Sequence, residues 1–191
     1  MKNSISLPES VQQILDRFQQ HGYEAYVVGG CIRDVLLHQT PSDWDFCTSA
    51  NPDEILQCFA DCKTIAVGKA YGTICVNWKS VWYEITTFRT ESEYADYRRP
   101  SQVTFTTSLY EDLKRRDFTI NAMAYHPQIG ILDPFDGKLD LEKRIIRCVG
   151  NPEDRFQEDA LRILRHCDLH LLMPVLYRRK PAMLFFTMLI C

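Results

Sequence analysis

The sequence predicts an α+β protein: a head built on a mixed sheet over residues 1–148, followed by the start of an all-helical region over 149–191. Three observations carry this reading. Short apolar or alternating runs are interleaved with helical periodicities through the first three quarters of the chain. Gly-Gly and Pro-containing turns separate them. From Pro152 onward the pattern PEDRFQEDALRILRH is helical.

The elements follow in order. Val11, Ile14, Leu15 and Phe18 recur at helical spacing, with Pro8 near the start of their helix and Gly22 at its end. Residues 23–28 form a short apolar strand broken by Gly29-Gly30, and residues 31–37 a helix with Ile32, Val35 and Leu36 on one face. Thr40-Pro41-Ser42 turns the chain into a second strand over 43–48. Asn51-Pro52-Asp53-Glu54 opens a helix reaching about Phe59, with a capping side chain, proline in the first turn and acids near the positive end. Strands are predicted over 64–67, 72–78 and 81–88. Residues 90–102 are polar and read as a mobile loop, and helical signals return over 109–115 and 118–124. Short pieces surround Asp133-Pro134-Phe135-Asp136-Gly137.

Composition narrows the function classes. The chain has 191 residues, 46% apolar and 25% charged, which excludes disorder and low-complexity polymers. Its formal charge of −3 excludes a histone-like binder, so any nucleic-acid contact must come from local Arg and Lys clusters. The N-terminus lacks the apolar core of a signal peptide, and the longest apolar run, AMLFFTMLIC over 182–191, is too short to span a bilayer and is expected to favour aggregation. The eight cysteines hold no C-x-x-C pair, so free thiols in a reducing, cytoplasmic compartment are expected.

Several constellations carry chemistry. On a strand, Asp43 and Asp45 project from one face while Trp44 and Phe46 turn toward the core. Paired carboxylates repel unless a cation sits between them, and hard oxygen ligands suit Mg²⁺; a solvated strand end is the alternative. Gly29-Gly30 leaves a strand and opens a helix, where missing side chains let phosphate oxygens approach the backbone, and Arg33 lies one turn on. Glu84 is a lone acid in Val-Trp-Tyr-Glu-Ile-Thr-Thr-Phe; beside the 43–48 strand it would complete a three-acid patch suited to metal-assisted phosphoryl transfer. In Arg115-Arg116-Asp117-Phe118, either Asp117 caps a helix and the arginines are solvated, or Arg116 contacts a triphosphate.

Together VVGGCIRDVLL, SDWDF, YEITTFRTE, RRDFTINAMAY, DPFDGKLDL and EDALRILR, in that order over residues 23–165, resemble the bacterial-type (class II) CCA-adding tRNA nucleotidyltransferases and their relatives the bacterial poly(A) polymerases. The resemblance implies a nucleotidyltransferase palm followed by a helical neck. It implies that CMP and AMP are added from CTP and ATP to the 3′ end of tRNA, with release of pyrophosphate. CC-only, A-only or poly(A) addition and a non-catalytic nucleotide-binding fragment are the alternatives. By this likeness Asp43 and Asp45 hold Mg²⁺, and Glu84 activates the RNA 3′-hydroxyl. Gly29, Gly30, Arg33, Arg116, Asp117 and Asn121 bind the incoming nucleotide. Asp159, Arg162 and Arg165, one turn apart on a single helix face, match the side chains that read the base, and Tyr97-Arg98-Arg99-Pro100 matches a flexible loop of the family. Two departures accompany the match. Asp168 stands where the family has another arginine, and the familiar pattern is lost after Arg165, which reads as a truncated or frameshifted neck.

Overall fold

A computed structural model describes residues 5–94, 100–159 and 161–172. The chain runs α1 (Glu9–Gln20), β1 (Ala25–Val28), α2 (Gly30–Leu36), β2 (Asp45–Thr48), α3 (Pro52–Cys58), β3 (Lys63–Ile65), β4 (Thr73–Trp78) and β5 (Val81–Thr87). It continues through β6 (Arg89–Tyr94), β7 (Pro100–Phe105), α4 (Leu109–Lys114), β8 (Ala124–His126), β9 (Gly130–Leu132), α5 (Gly137–Lys143), α6 (Pro152–Glu158) and α7 (Leu161–Leu172). This is the predicted α+β fold. A seven-stranded sheet has the order β3-β4-β5-β2-β1-β8-β9, antiparallel throughout except for the parallel pair β2–β5. No helix among the described residues is long and apolar enough to cross a membrane.

Each face of the sheet is covered by residues that the periodicity selects. Val11, Ile14, Leu15 and Phe18 of α1, Ile32 of α2 and Ile55 of α3 pack with Val27, Phe46, Ile74 and Ile85 of the strands. The strand expected over 43–48 starts only at Asp45, and Trp44, just before it, packs at the border of this core. On the other face Tyr26, Val28, Cys47, Phe88, Ala124 and Leu113 of α4 form a second cluster. The cap of α3 is a complete capping box: the Asn51 side chain accepts from the backbone N–H groups of Asp53 and Glu54, and the Glu54 carboxylate accepts from Asn51 N at 2.7 Å.

A third cluster joins Phe118, Ile120, Leu141 and Cys148 to Leu169 of α7. Gly137 sits tightly beside it. A Cβ placed on Gly137 would lie 2.1 Å from the Thr119 carbonyl oxygen, so no side chain fits without moving backbone.

Three expectations need correction. Residues 90–102 are largely strand: β6 and β7 form a separate two-stranded ribbon, Arg89 facing Phe105 and Thr90 facing Thr104. Such a ribbon needs no continuous apolar face, so its composition hides it from a pattern search. Residues 95–99, with most of the Tyr97-Arg98-Arg99-Pro100 segment, lie outside the described residues, as does the apolar run 182–191. The helix expected over 118–124 is a single 3₁₀ turn, Thr119–Asn121, followed by β8. Here Phe118 is extended and bridged to Cys148, and Thr119 N donates to Arg147 O at 2.9 Å, which draws the backbone out of a helical ladder. Finally, the helix from Pro152 is broken. Asp159 is extended at φ −144°, ψ 105°, and its carboxylate accepts from Leu161 N at 2.9 Å, so it ends α6 and caps the next helix.

Gly137→Ala is expected to lower stability by about 1–3 kcal/mol through overpacking. Gly22, at φ +82° with nothing within 4 Å of an added Cβ, is the control: Gly22→Ala carries only backbone strain of about 1 kcal/mol. Urea midpoints compare the two, and an equal shift would refute the steric account of Gly137.

Candidate active site

The site begins where β1 ends. Gly29 follows Val28 with φ 88° and ψ −140°, a conformation that side-chain-bearing residues rarely adopt, and its N–H donates to Met123 O at 3.2 Å. Two guanidiniums close on this turn. A Cβ on Gly29 would lie 3.3 Å from Arg116 Nη1, and a Cβ on Gly30 would lie 3.3 Å from Arg33 Nη2. The two glycines thus form a bare floor on which two cations close, a place where any side chain would crowd the guanidiniums.

The acids lie beside it. Antiparallel pairing sets Val28 opposite Asp45, next to the Gly29 turn. Parallel pairing sets Phe46 opposite Ile85, so Asp45 neighbours Glu84 on the sheet face away from α1–α3. Asp43 precedes β2 by two residues and accepts from Ser42 Oγ at 3.2 Å. The Asp45 side chain is open to solvent but crowded by protein. Partial desolvation, then the charges of Asp43 and Glu84, push its carboxyl up to about 6, against the opposing pull of Arg116. No donor among the described residues hydrogen-bonds its carboxylate. In this conformation no three His, Cys, Asp or Glu side chains among the described residues close into a metal cage. Two aspartates with unspent negative charge are nevertheless a hard oxygen donor set that suits a divalent cation sharing its remaining positions with phosphate and water.

The arginines are held from behind. Arg33 donates through Nε and Nη2 to Asp34 Oδ1 at 2.9 and 2.7 Å, and through Nη1 to Asn121 Oδ1 at 2.7 Å. Arg116 donates through Nη2 to Asp112 Oδ2 at 3.3 Å. Asp112 has 0% exposure and also accepts from Arg115 Nε and Nη2 at 3.0 and 2.9 Å and from Arg89 N at 3.3 Å. Burial alone would raise the Asp112 carboxyl; Arg115 and Arg116 overcome it and hold the group below the ordinary carboxylate range. Glu91 ties the ribbon to the same cluster by accepting from Arg89 and from Arg115. Asp112, Arg89 and Glu91 are absent from the sequence-derived set. Acid-to-arginine spacing of three and four residues, Asp112 to Arg115 and Arg116, is the signal that identifies the first.

The remaining residues form a second chain of contacts. Asp117 Oδ1 accepts from Phe118 N at 2.7 Å and from Asn121 Nδ2 at 3.3 Å, while Oδ2 accepts from Arg165 Nη1 at 3.1 Å. Arg165 Nη2 donates to Asp159 Oδ2 at 3.0 Å. Arg162 instead reaches Glu158, Arg155 O and Arg115 O. The expected Asp159–Arg162 pair on one helix face is therefore corrected: the helix breaks at Asp159, and its carboxylate pairs with Arg165. Asp117 does not cap a regular helix but joins the sheet-bearing head to α7.

Asp45→Asn is expected to stabilise the fold in metal-free buffer above pH 6 by about 1 kcal/mol or less, the scale of an exposed charge interaction, read as a higher melting temperature. A carboxyl raised in the folded state costs stability as pH climbs from the unfolded value near 4 through about 6, so the gain should vanish below pH 4. Thermal melts from pH 3.5 to 8 check it; a gain independent of pH would contradict the crowding of Asp43, Asp45 and Glu84.

Known proteins resemble this chain in sequence and fold. A CCA-adding enzyme of Geobacillus sp. (strain WCH70) is 55% identical over 152 residues, which are 80% of this chain and 37% of that protein. The crystal structure of Bacillus stearothermophilus CCA-adding enzyme in complex with CTP superposes with a TM-score of 0.76 at 45% identity, covering 85% of this chain and 38% of the other. Thermotoga maritima CCA-adding enzyme complexed with tRNA(CCA) superposes at 0.68 with 26% identity, covering 86% and 38%. This chain therefore spans under two fifths of the length of these relatives. Residues 25–147, the stretch holding the glycine turn, the three acids and both arginines, match the poly A polymerase head domain, and the chain belongs to that family.

Proposed function

We propose that this head transfers CMP and AMP from CTP and ATP to the 3′ end of tRNA, releasing pyrophosphate. The observation that carries the reading is the convergence of Arg33 and Arg116 on the glycine turn beside Asp45 and Glu84. Cations beside uncompensated carboxylates suit a metal-bound triphosphate, and the CTP- and tRNA-bound relatives support the choice of substrates. In the proposed division of the chain, residues 1–148 form the palm and residues 149–191 begin a helical neck. Free thiols among the described cysteines fit the proposed cytoplasmic setting, and no membrane partner is invoked.

In this mechanism Arg33 and Arg116 grip the phosphates over Gly29-Gly30, and Asp117 and Asn121 hold the arginine side chains in register. Asp43 and Asp45 are the residues that would hold Mg²⁺, which when bound neutralises phosphate charge and polarises the attacking hydroxyl. The RNA 3′-oxygen attacks the α-phosphorus, the bond to the bridging oxygen breaks, and pyrophosphate departs. Glu84, exposed on the same face, would accept the hydroxyl proton. Asp159, paired with Arg165, would accept from the amino group of cytosine or adenine while Arg165 faces the ring acceptor, with Arg162 held by Glu158 behind the pair; uracil and guanine present the reverse polarity.

The test is incubation of the chain with tRNA lacking its 3′ end, Mg²⁺ and labelled CTP or ATP. Asp43→Asn and Asp45→Asn are each expected to reduce transfer by about 10³-fold or more, with the fold intact by circular dichroism. Transfer persisting in both variants would overturn the assignment. Asp159→Ala should erode preference for CTP and ATP over UTP and GTP more than it weakens binding; unchanged discrimination would remove Asp159 from base reading.

A further inference from the structure

Asp112 has 0% exposure, yet it is an acid, and its four nearest donors belong to three residues with different tasks. Arg115 reaches one oxygen through Nε and Nη2, and the N–H of Arg89, the first residue of the ribbon, reaches that same oxygen. The other oxygen accepts from Arg116 Nη2. Arg116 is 18% exposed; its Nη1 points at the Gly29 turn, while its Nε is buried with no partner among the described residues. Asp112 is thus the described carboxylate that fixes the far end of Arg116 while leaving the near end directed at the glycine floor.

We propose that Asp112 is a positioning residue for nucleotide binding: its buried carboxylate aims Arg116 at the phosphates and ties that aim to the base of the β6–β7 ribbon. The proposal rests on the reading of the glycine turn as a triphosphate site. It explains why an ionised group is kept in a dry position. An amide could fill the same volume, but it would present a donor to the arginines and remove the charge that orients them. Arg116 alone, on a flexible stem beside Asp45, would be drawn across toward the carboxylates Asp43, Asp45 and Glu84.

The experiment is a calorimetric titration of the full chain with CTP and Mg²⁺, in the wild type, Asp112→Asn, Asp112→Glu, Arg116→Ala and the Asp112→Asn/Arg116→Ala pair. Asp112→Asn is expected to weaken CTP binding about tenfold, the scale of one hydrogen bond to a charged group. Asp112→Glu should restore most of the loss. In the Arg116→Ala background the Asn substitution should cost less than about twofold, because nothing is left to aim. A tenfold loss that persists without Arg116 would overturn the proposal alone, since Asp112 would then act only on the fold. A wild type that binds no CTP overturns the reading of the site and the proposal with it. If Asp112→Asn does not fold, Arg116→Lys decides the matter. Lysine keeps the charge but cannot reach Asp112 and the glycine turn together, so CTP binding as tight as wild type would overturn the proposal and a clear loss would sustain it.

Discussion

The parallel pairing of β2 with β5 is the constraint on which the site depends. In an otherwise antiparallel sheet it sets Asp45 next to Glu84. The antiparallel pairing on the other side of β2 sets the same residue next to the end of β1 and its glycine turn. Parallel neighbours require a long connection, and here it is supplied by α3, β3 and β4, whose helix and strands also cover and extend the sheet. A shift of β2 by one residue would turn Asp45 into the helix-covered face and Phe46 out of it. Burial of Phe46 under α1–α3 therefore fixes the register that exposes the acids.

Charge is arranged with equal economy. The whole chain is mildly acidic, yet arginines converge on the glycine turn and on the start of α7. Arg33 leans on Asp34 and Asn121, Arg116 on Asp112, Arg162 on Glu158, and Arg165 on Asp117 and Asp159. Each acid lowers the desolvation cost of its guanidinium and fixes its direction. Among the described residues Asp45 has no such ion-pair partner, and partial desolvation together with the charges of Asp43 and Glu84 pushes its carboxyl upward.

Much of this was legible in the sequence because it depends on local rules. The apolar spacing of α1, the Asn51 cap, the alternation that turns Phe46 inward and Asp45 outward, and the glycine turn before Arg33 are all written within a few residues. What stayed hidden depends on distant partners. The ribbon is polar because it pairs mainly with itself; the turn at 119–121 is drawn out of helix by Arg147 and Cys148; Asp159 breaks a helix that its neighbours would continue. Asp112 is hidden in the sequence for a related reason. In Leu-Tyr-Glu-Asp-Leu-Lys it looks like one more solvated acid of a short helix, and only the fold removes it from water.

The cluster of Phe118, Ile120, Leu141 and Cys148 with Leu169 bears on which parts of the chain can be exchanged separately. The apolar contacts and the clasp of Arg165 on Asp117 join the elements on either side of residue 148. A head exchanged between relatives at that position would arrive with Phe118 uncovered and Asp117 unclasped unless the incoming helix brought its own leucine and arginine at matching turns. The elements on either side of residue 148 are therefore coupled in packing, so neither can be replaced without matching the other.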